Sequence, residues 1–279
     1  MSVVVVGAVN GDLIVRVPRI AAPGSTVIAT GSSTGPGGKG GNQAAAVARL
    51  GGECALIARV GPDFDPASLS SVDLSRVVRD TAPTGLAVVL VDDAGENAIT
   101  VVPGANANLG PADVGPLTGA GVVLASLEVP LAAVAEAARR AATGGWTFVL
   151  NPAPAVPLPD LLLRQTDVLV PNEHELAVLG SPEALLAAGA GAVVVTLGAA
   201  GCRIHRRAGT VDIPGHRVAT VDTTGAGDAF CGALAWALDT GHTLDDAARL
   251  ACAAGALATT AVGARTAQPT AAEVTASLR

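Results

Sequence analysis

Val122-Val123-Leu124-Ala125-Ser126, then Leu131–Ala142, then Thr147-Phe148-Val149-Leu150 read in turn as a strand, a helix and a strand. The outer two are short apolar runs without polar alternation, which is how strands covered on both faces are written. The middle stretch is rich in Ala, Leu and Arg, residues that lose little on entering a helix. The pattern continues downstream with strands at Val168–Pro171 and Ala192–Leu197 and helices at Ala226–Leu238 and Asp245–Ala261. Upstream, Val3–Val6 ends at Gly7 as another buried strand, followed by a helix at Gly41–Leu50 and a strand at Ala55–Val60. Such alternation predicts an α/β fold, a mostly parallel sheet between two helical layers.

Two regions depart from it. Leu13–Val17 with Ser25–Gly31, and Gly85–Val91 with Ala98–Val102, read as β arms, the second joined by the turn-forming Asp92–Asn97. Together they predict a small β-sheet lid over about 11–34 and 84–104, within one domain spanning 1–279. The run Leu86–Val91 is continuously apolar, so both faces of this sheet are expected to be covered. One face would close over a ligand and the other would meet a second copy of the chain, making a homodimer.

Half of the 279 residues are hydrophobic, enough for a sizeable core, but only 2% are aromatic and there is no Tyr. A ligand site must therefore use aliphatic side chains, backbone and a few polar groups. The net charge of −7, with no basic run, excludes nucleic acid as a partner. Cys54, Cys202, Cys231 and Cys252 lack metal or disulfide spacing and read as buried thiols in a reducing compartment. The start Met1–Gly7 carries no charged leader region, and no apolar stretch has the roughly 20 residues a membrane span needs. The expectation is a cytoplasmic protein with no membrane partner.

Chemistry concentrates where loops enter helices. Asp222-Thr-Thr-Gly225-Ala226-Gly227-Asp228 turns into a helix, so its backbone amides and the positive helix end converge as an anion hole. Asp228, in the first turn, can take a proton from an attacking hydroxyl; the ordinary alternative is a helix cap. Gly35-Pro-Gly-Gly-Lys39-Gly-Gly-Asn42-Gln43 contains a G-x-G-x-x-G spacing, but it follows a β arm rather than the first strand. Backbone packed around a polyhydroxylated ligand, with Lys39 and Asn42 as polar contacts, suits it better than a dinucleotide. Asn10 and Asp12 follow the first strand and could grip vicinal hydroxyls, or simply make a turn; Glu128 follows Val122–Ser126 in the same way. Asn172 and Glu175 share a helical face and could orient hydrated Mg²⁺, or merely start a helix. His174 reads as a surface residue.

These pieces, in this order, resemble the PfkB/ribokinase family of carbohydrate kinases over almost the whole chain. Gly37–Ala44 looks like the first family signature and Asp222–Phe230 like the second. Gly95-Glu-Asn97, Gly104-Ala-Asn106, Asn151–Ala155 and Ala267–Thr270 resemble its ribokinase branch in particular. The resemblance implies a ribokinase-like three-layer α/β/α fold with a β lid, often a dimer clasp, and ATP-dependent phosphorylation of a sugar, ribose first. It implies that Asn10, Asp12, Gly38, Lys39, Asn42, Glu128 and Asp228 hold the sugar, with Asp228 as base beside the Gly225, Ala226 and Gly227 amides. Asn172 and Glu175 would act on Mg²⁺ and phosphate, and Thr196, Gly198, Gly201 and Cys252 would line the nucleotide site. A monovalent cation, K⁺, would sit between Asp222, Thr224 and the loop at Ala261–Ala267. Departures are the short segment Phe64–Val72, with Pro66 inside, the short Gly180–Ala190, and Cys252 in place of a polar residue near adenine. Other readings are a kinase for a nucleoside or another sugar, an NAD-dependent oxidoreductase, and a non-catalytic sugar-binding regulator.

Overall fold

The computed structural model describes residues 2–278. Nine strands form one sheet in the order β13-β12-β11-β10-β9-β8-β1-β4-β5. From the centre outward these are β1 (Ser2–Val6), β4 (Cys54–Val60) and β5 (Val77–Arg79) on one side. On the other are β8 (Gly121–Ser126), β9 (Thr147–Asn151), β10 (Val168–Leu169), β11 (Ala192–Thr196), β12 (Gly201–Arg206) and β13 (Gly209–Pro214). All pair in parallel except the last two, which add an antiparallel hairpin at the edge. A separate four-stranded sheet runs β3 (Gly31–Gly37), β2 (Asn10–Val17), β6 (Gly85–Asp92), β7 (Asn97–Val102).

The helices are α1 (Lys39–Arg49), α2 (Pro111–Val114), α3 (Leu131–Gly144), α4 (Asp160–Arg164) and α5 (Glu173–Leu179). After them come α6 (Pro182–Ala188), α7 (Ala226–Asp239), α8 (Leu244–Leu257) and α9 (Ala271–Ser277). β1 shows why the strand runs lack alternation. Val3 and Val5 enter one core with α1, α7, α8 and α9, while Val4 and Val6 enter the other with α3, α4 and α6. A strand with a core on each side has no polar face. Helix spacing obeys the complementary rule. Ala133, Val134, Ala137, Ala138 and Ala141 make the single buried stripe of α3.

Two readings need correction. Ser25–Gly31 is not the partner strand of Leu13–Val17; that strand is β3, paired from Asn10↔Gly37 to Arg16↔Gly31. Its sequence, Gly-Ser-Ser-Thr-Gly-Pro-Gly, carries little strand propensity beyond Thr34, and Pro36 is tolerated because β3 is an edge. The hairpin β12–β13 was not expected, although Cys202 and Ile204 are buried while Arg203 is exposed, a period-2 signal. Apolar side chains of the small sheet remain uncovered by the chain itself. Leu86, Ile99, Val101 and Val102 are exposed on it. Of the two short segments, Phe64–Val72 holds a single 3₁₀ turn at Pro66–Leu69, and Gly180–Ala190 holds α6, which buries Leu185 and Leu186. Among the described residues no helix is long and apolar enough to cross a membrane.

Candidate functional site

The site is built where α1 and α7 begin side by side. Gly225 precedes α7 with φ 78°, and a Cβ there would come within 2.7 Å of the Ala264 Cα, so the turn requires glycine. Asp228 follows in the first helical turn and is only 6% exposed. Its carboxylate does not cap the helix but reaches across to α1. Oδ2 accepts from Asn42 Nδ2 at 2.9 Å and Oδ1 from Gln43 Nε2 at 3.2 Å. Gln43 also donates to Asn151 Oδ1 at 3.1 Å, which ties the pair to the end of β9. A buried carboxylate with one side-chain amide on each oxygen is held in a fixed orientation.

Around it lie the other polar residues singled out in the sequence. Asn10 opens β2 and is buried; Asn106 Nδ2 donates to its Oδ1 at 2.8 Å. Asn106 also exchanges two hydrogen bonds with the backbone of Val9, clamping the exit of β1. Asp12 is half-buried on β2, with an Oδ1 that is enclosed yet has no partner. Burial raises its pKa, Arg265 opposes the rise and Asp228 adds to it. Gly38 immediately precedes α1, and Lys39 begins it. Glu128, beyond the end of β8, accepts the Lys39 amide at 2.8 Å on Oε2, and burial raises its pKa. Asp228, with Glu128 and Glu175, holds the Lys39 ammonium above its ordinary pKa despite burial. Lys39 and Arg265 thus face a cluster of carboxylates that act on one another.

A cavity of about 480 Å³ lies against the start of α7. Thr196, Gly198, Gly201 and Cys252 all line it, together with Ala226 and Gly227. Asn172 and Glu175 cap α5 reciprocally: Glu175 N–H donates to Asn172 Oδ1 and Asn172 N–H to Glu175 Oε2, both at 2.8 Å. The helix-start reading is therefore correct for both, and it leaves the second Glu175 oxygen free. Burial raises the Glu175 pKa. Asp222 accepts from the amides of Thr224 and Gly263, each at 2.9 Å, closing the loop before α7 onto Val262–Ala267. Burial works against its ionisation, but these amides outweigh burial and leave its pKa below the ordinary range. His174 is exposed. The G-x-G-x-x-G segment joins the edge strand β3 to α1 and not β1 to a crossover helix, which removes the dinucleotide reading.

Sequence reasoning missed Gln43, Asn106 and Arg265. Gln43 is fully buried one position beyond Asn42, and its place beside a suspected ligand residue was the available signal. Asn106 had a sequence signature but no assigned task. Arg265 had no signal.

Comparison with known proteins agrees with this fold. Residues 1–271 match the family described as pfkB family carbohydrate kinase. The chain is 35% identical over 294 residues to a ribokinase of Haemophilus influenzae, covering 96% of this chain and 95% of that one. The crystal structure of a ribokinase from Thermotoga maritima superposes with a TM-score of 0.91 at 32% identity, covering 99% of both chains. A ribokinase of Arabidopsis thaliana, solved as a complex with ribose and ATP, gives a TM-score of 0.88 at 30% identity, covering 100% of this chain and 98% of that one.

Proposed function

This chain belongs to the pfkB family of carbohydrate kinases, and we propose that it transfers the γ-phosphate of ATP to the primary hydroxyl of D-ribose, giving ribose 5-phosphate. The observation that carries the reading is Asp228, a buried carboxylate aimed by two amides at the junction of a polar cluster and a large cavity. In this reading ATP occupies the cavity lined by Thr196, Gly198, Gly201 and Cys252. The sugar lies among Asn10, Asp12, Gly38, Lys39, Asn42 and Glu128, and the unpartnered Asp12 oxygen receives a sugar hydroxyl. Asp228 accepts the proton of the attacking hydroxyl. The amides of Gly225 and Gly227, at the positive end of α7, stabilise charge on the group in transit, while the Ala226 N–H donates to the Thr223 carbonyl at 3.2 Å. Phosphoryl transfer asks mainly for such positioning and charge stabilisation.

Two ions fit the residues present. Glu175 offers one free carboxylate oxygen beside Lys39 and Asp228, suited through water to the Mg²⁺ that accompanies nucleotide phosphates and neutralises part of their charge. Asp222 is held ionised by two amides, each of which uses one of its lone pairs; with Thr224 it suits a weakly hydrated monovalent cation such as K⁺. These groups order the loop that carries the anion hole.

The test is ADP release with a panel of pentoses, ketohexoses and nucleosides, each run in K⁺ and in a bulky organic cation at equal ionic strength. D-ribose should give the highest kcat/KM, and its turnover should rise in K⁺. A nucleoside as best substrate would replace ribose as the acceptor, and equal rates in both salts would remove the cation.

The small sheet is our candidate lid. Ile99 and Val101 are exposed together on one face of β7, while Leu86 and Val102, paired in the register, are exposed on the other. An apolar group of this kind on an open sheet favours a partner, and a second copy of the same sheet is self-complementary. We expect light scattering at micromolar concentration to give the mass of a dimer, and Ile99→Lys to halve it. A wild-type monomer would rule the clasp out.

A further inference from the structure

Arg265 sits on the loop between α8 and α9, far in sequence from the site, yet its guanidinium lies at the edge of it. Nε donates to Asn42 Oδ1 at 2.8 Å, Nη2 to the Gly37 carbonyl at 2.6 Å, and Nη1 to the Ser68 carbonyl at 3.4 Å. One side chain thus joins β3, α1 and the 3₁₀ turn. The loop is pinned to α1 a second time, because Gln268 Nε2 donates to the Asn42 carbonyl at 2.8 Å. Space for the guanidinium is provided by Gly41, where a Cβ would fall 2.3 Å from Nη2. Gly41 and Arg265 are therefore a matched pair.

The consequence falls on Asn42. The two ends of a side-chain amide have nearly the same shape, and only their partners decide which end points where. With Oδ1 taken by Arg265, Nδ2 is the end that meets Asp228, at 2.9 Å. Reversed, the amide would set its oxygen against the carboxylate, two acceptors with no proton between them, and would leave the guanidinium facing an N–H. We propose that Arg265 is a positioning residue for the phosphoryl acceptor: it locks the Asn42 amide so that one N–H holds Asp228 and the other is presented to the sugar. This rests on the reading of Asn42 and Asp228 as the acceptor site. The Arg265 charge adds to the effect, since it opposes the combined influence of burial and Asp228 on Asp12.

The experiment compares wild type with Arg265→Met, Arg265→Lys, Gly41→Ala and the Gly41→Ala/Arg265→Met double variant, using the best sugar from the panel. Losing a charge-assisted hydrogen bond should lower kcat/KM for the sugar about 10- to 100-fold in Arg265→Met. The KM for ATP should stay within about twofold, because Arg265 makes no contact with the cavity at α7. Arg265→Lys keeps the charge without the planar fork and should fall between. Gly41→Ala displaces the guanidinium and should reproduce the Arg265→Met split. The double variant should be no worse than the weaker single, since both remove one interaction. Additive losses, or equal changes in sugar and ATP KM, would assign Arg265 a general structural role and overturn the proposal. If Arg265→Met fails to fold, the Gly41→Ala and Arg265→Lys kinetics decide alone. A wild type with no sugar turnover identifies the functional reading as the failure, and the Arg265 proposal falls with it.

Discussion

Asp228→Asn should lower kcat about 10²- to 10⁴-fold, the range a positioned general base contributes, while leaving ATP affinity near wild type. The exchange removes the proton acceptor and little volume. It is not silent for the fold, because both Asp228 oxygens accept from side-chain NH₂ groups. An asparagine must turn its own NH₂ toward one of them. Asn42 cannot yield, since Arg265 holds its oxygen. Gln43 can: its Oε1 is buried without a partner, so reversing that amide lets it accept from the new NH₂. The bond given up is the one to Asn151, a loss of about 1 kcal/mol. A small drop in Tm with a large drop in kcat is therefore expected, and calorimetry beside steady-state kinetics separates the two. A variant that keeps more than about a tenth of wild-type kcat would show that no proton passes through Asp228.

How much of this was legible in the sequence depends on the range of the interaction that decides each feature. Val3–Val6, Val122–Ser126 and Ala192–Thr196 could be read because a strand with a core on each side must be apolar throughout. The signature around Asp228 was legible because a glycine-containing loop and the first helical turn are contiguous in sequence. β3 was not legible: Gly31–Gly37 is a strand only because β2 lies beside it, and its composition suits close approach better than pairing. The placement of the residues proposed for the sugar shows the same limit. Asn10 and Asp12 could be suspected, but the residue that holds Asn10 is Asn106, 96 positions away. Arg265 and Asn42 are separated by 223 positions, and no local pattern around Ala261–Ala267 distinguishes an arginine that crosses to another helix from one in solvent. Asn172 and Glu175 illustrate the opposite case, since the ordinary helix-start reading is right and uses only one of the two Glu175 oxygens.

Asp12→Ala offers the sharpest contrast between what a residue does for the fold and what it does for the reaction. In the unliganded chain Asp12 is a poor structural residue. Its Oδ1 is enclosed without a hydrogen bond, and burial raises its pKa by more than Arg265, which outweighs the like-charge repulsion of Asp228, can restore. Removing an unsatisfied buried carboxylate relieves a desolvation cost, and β2 keeps its backbone pairs with β3 and β6. The Tm of the variant should therefore equal or exceed that of wild type. With sugar bound the ledger reverses, because that same oxygen becomes the acceptor for a hydroxyl already removed from water. Charge-assisted bonds are each worth about 1.5–3 kcal/mol, so two of them set a rise in sugar KM of about 10²-fold or more. ATP should bind as before, since the cavity at α7 includes no part of β2. Stability maintained or gained together with a selective loss of sugar affinity is the pattern of a residue kept for its ligand. A lower Tm with matched changes in both KM values would instead return Asp12 to the turn chemistry that its sequence, Asn10-Gly11-Asp12, first suggested.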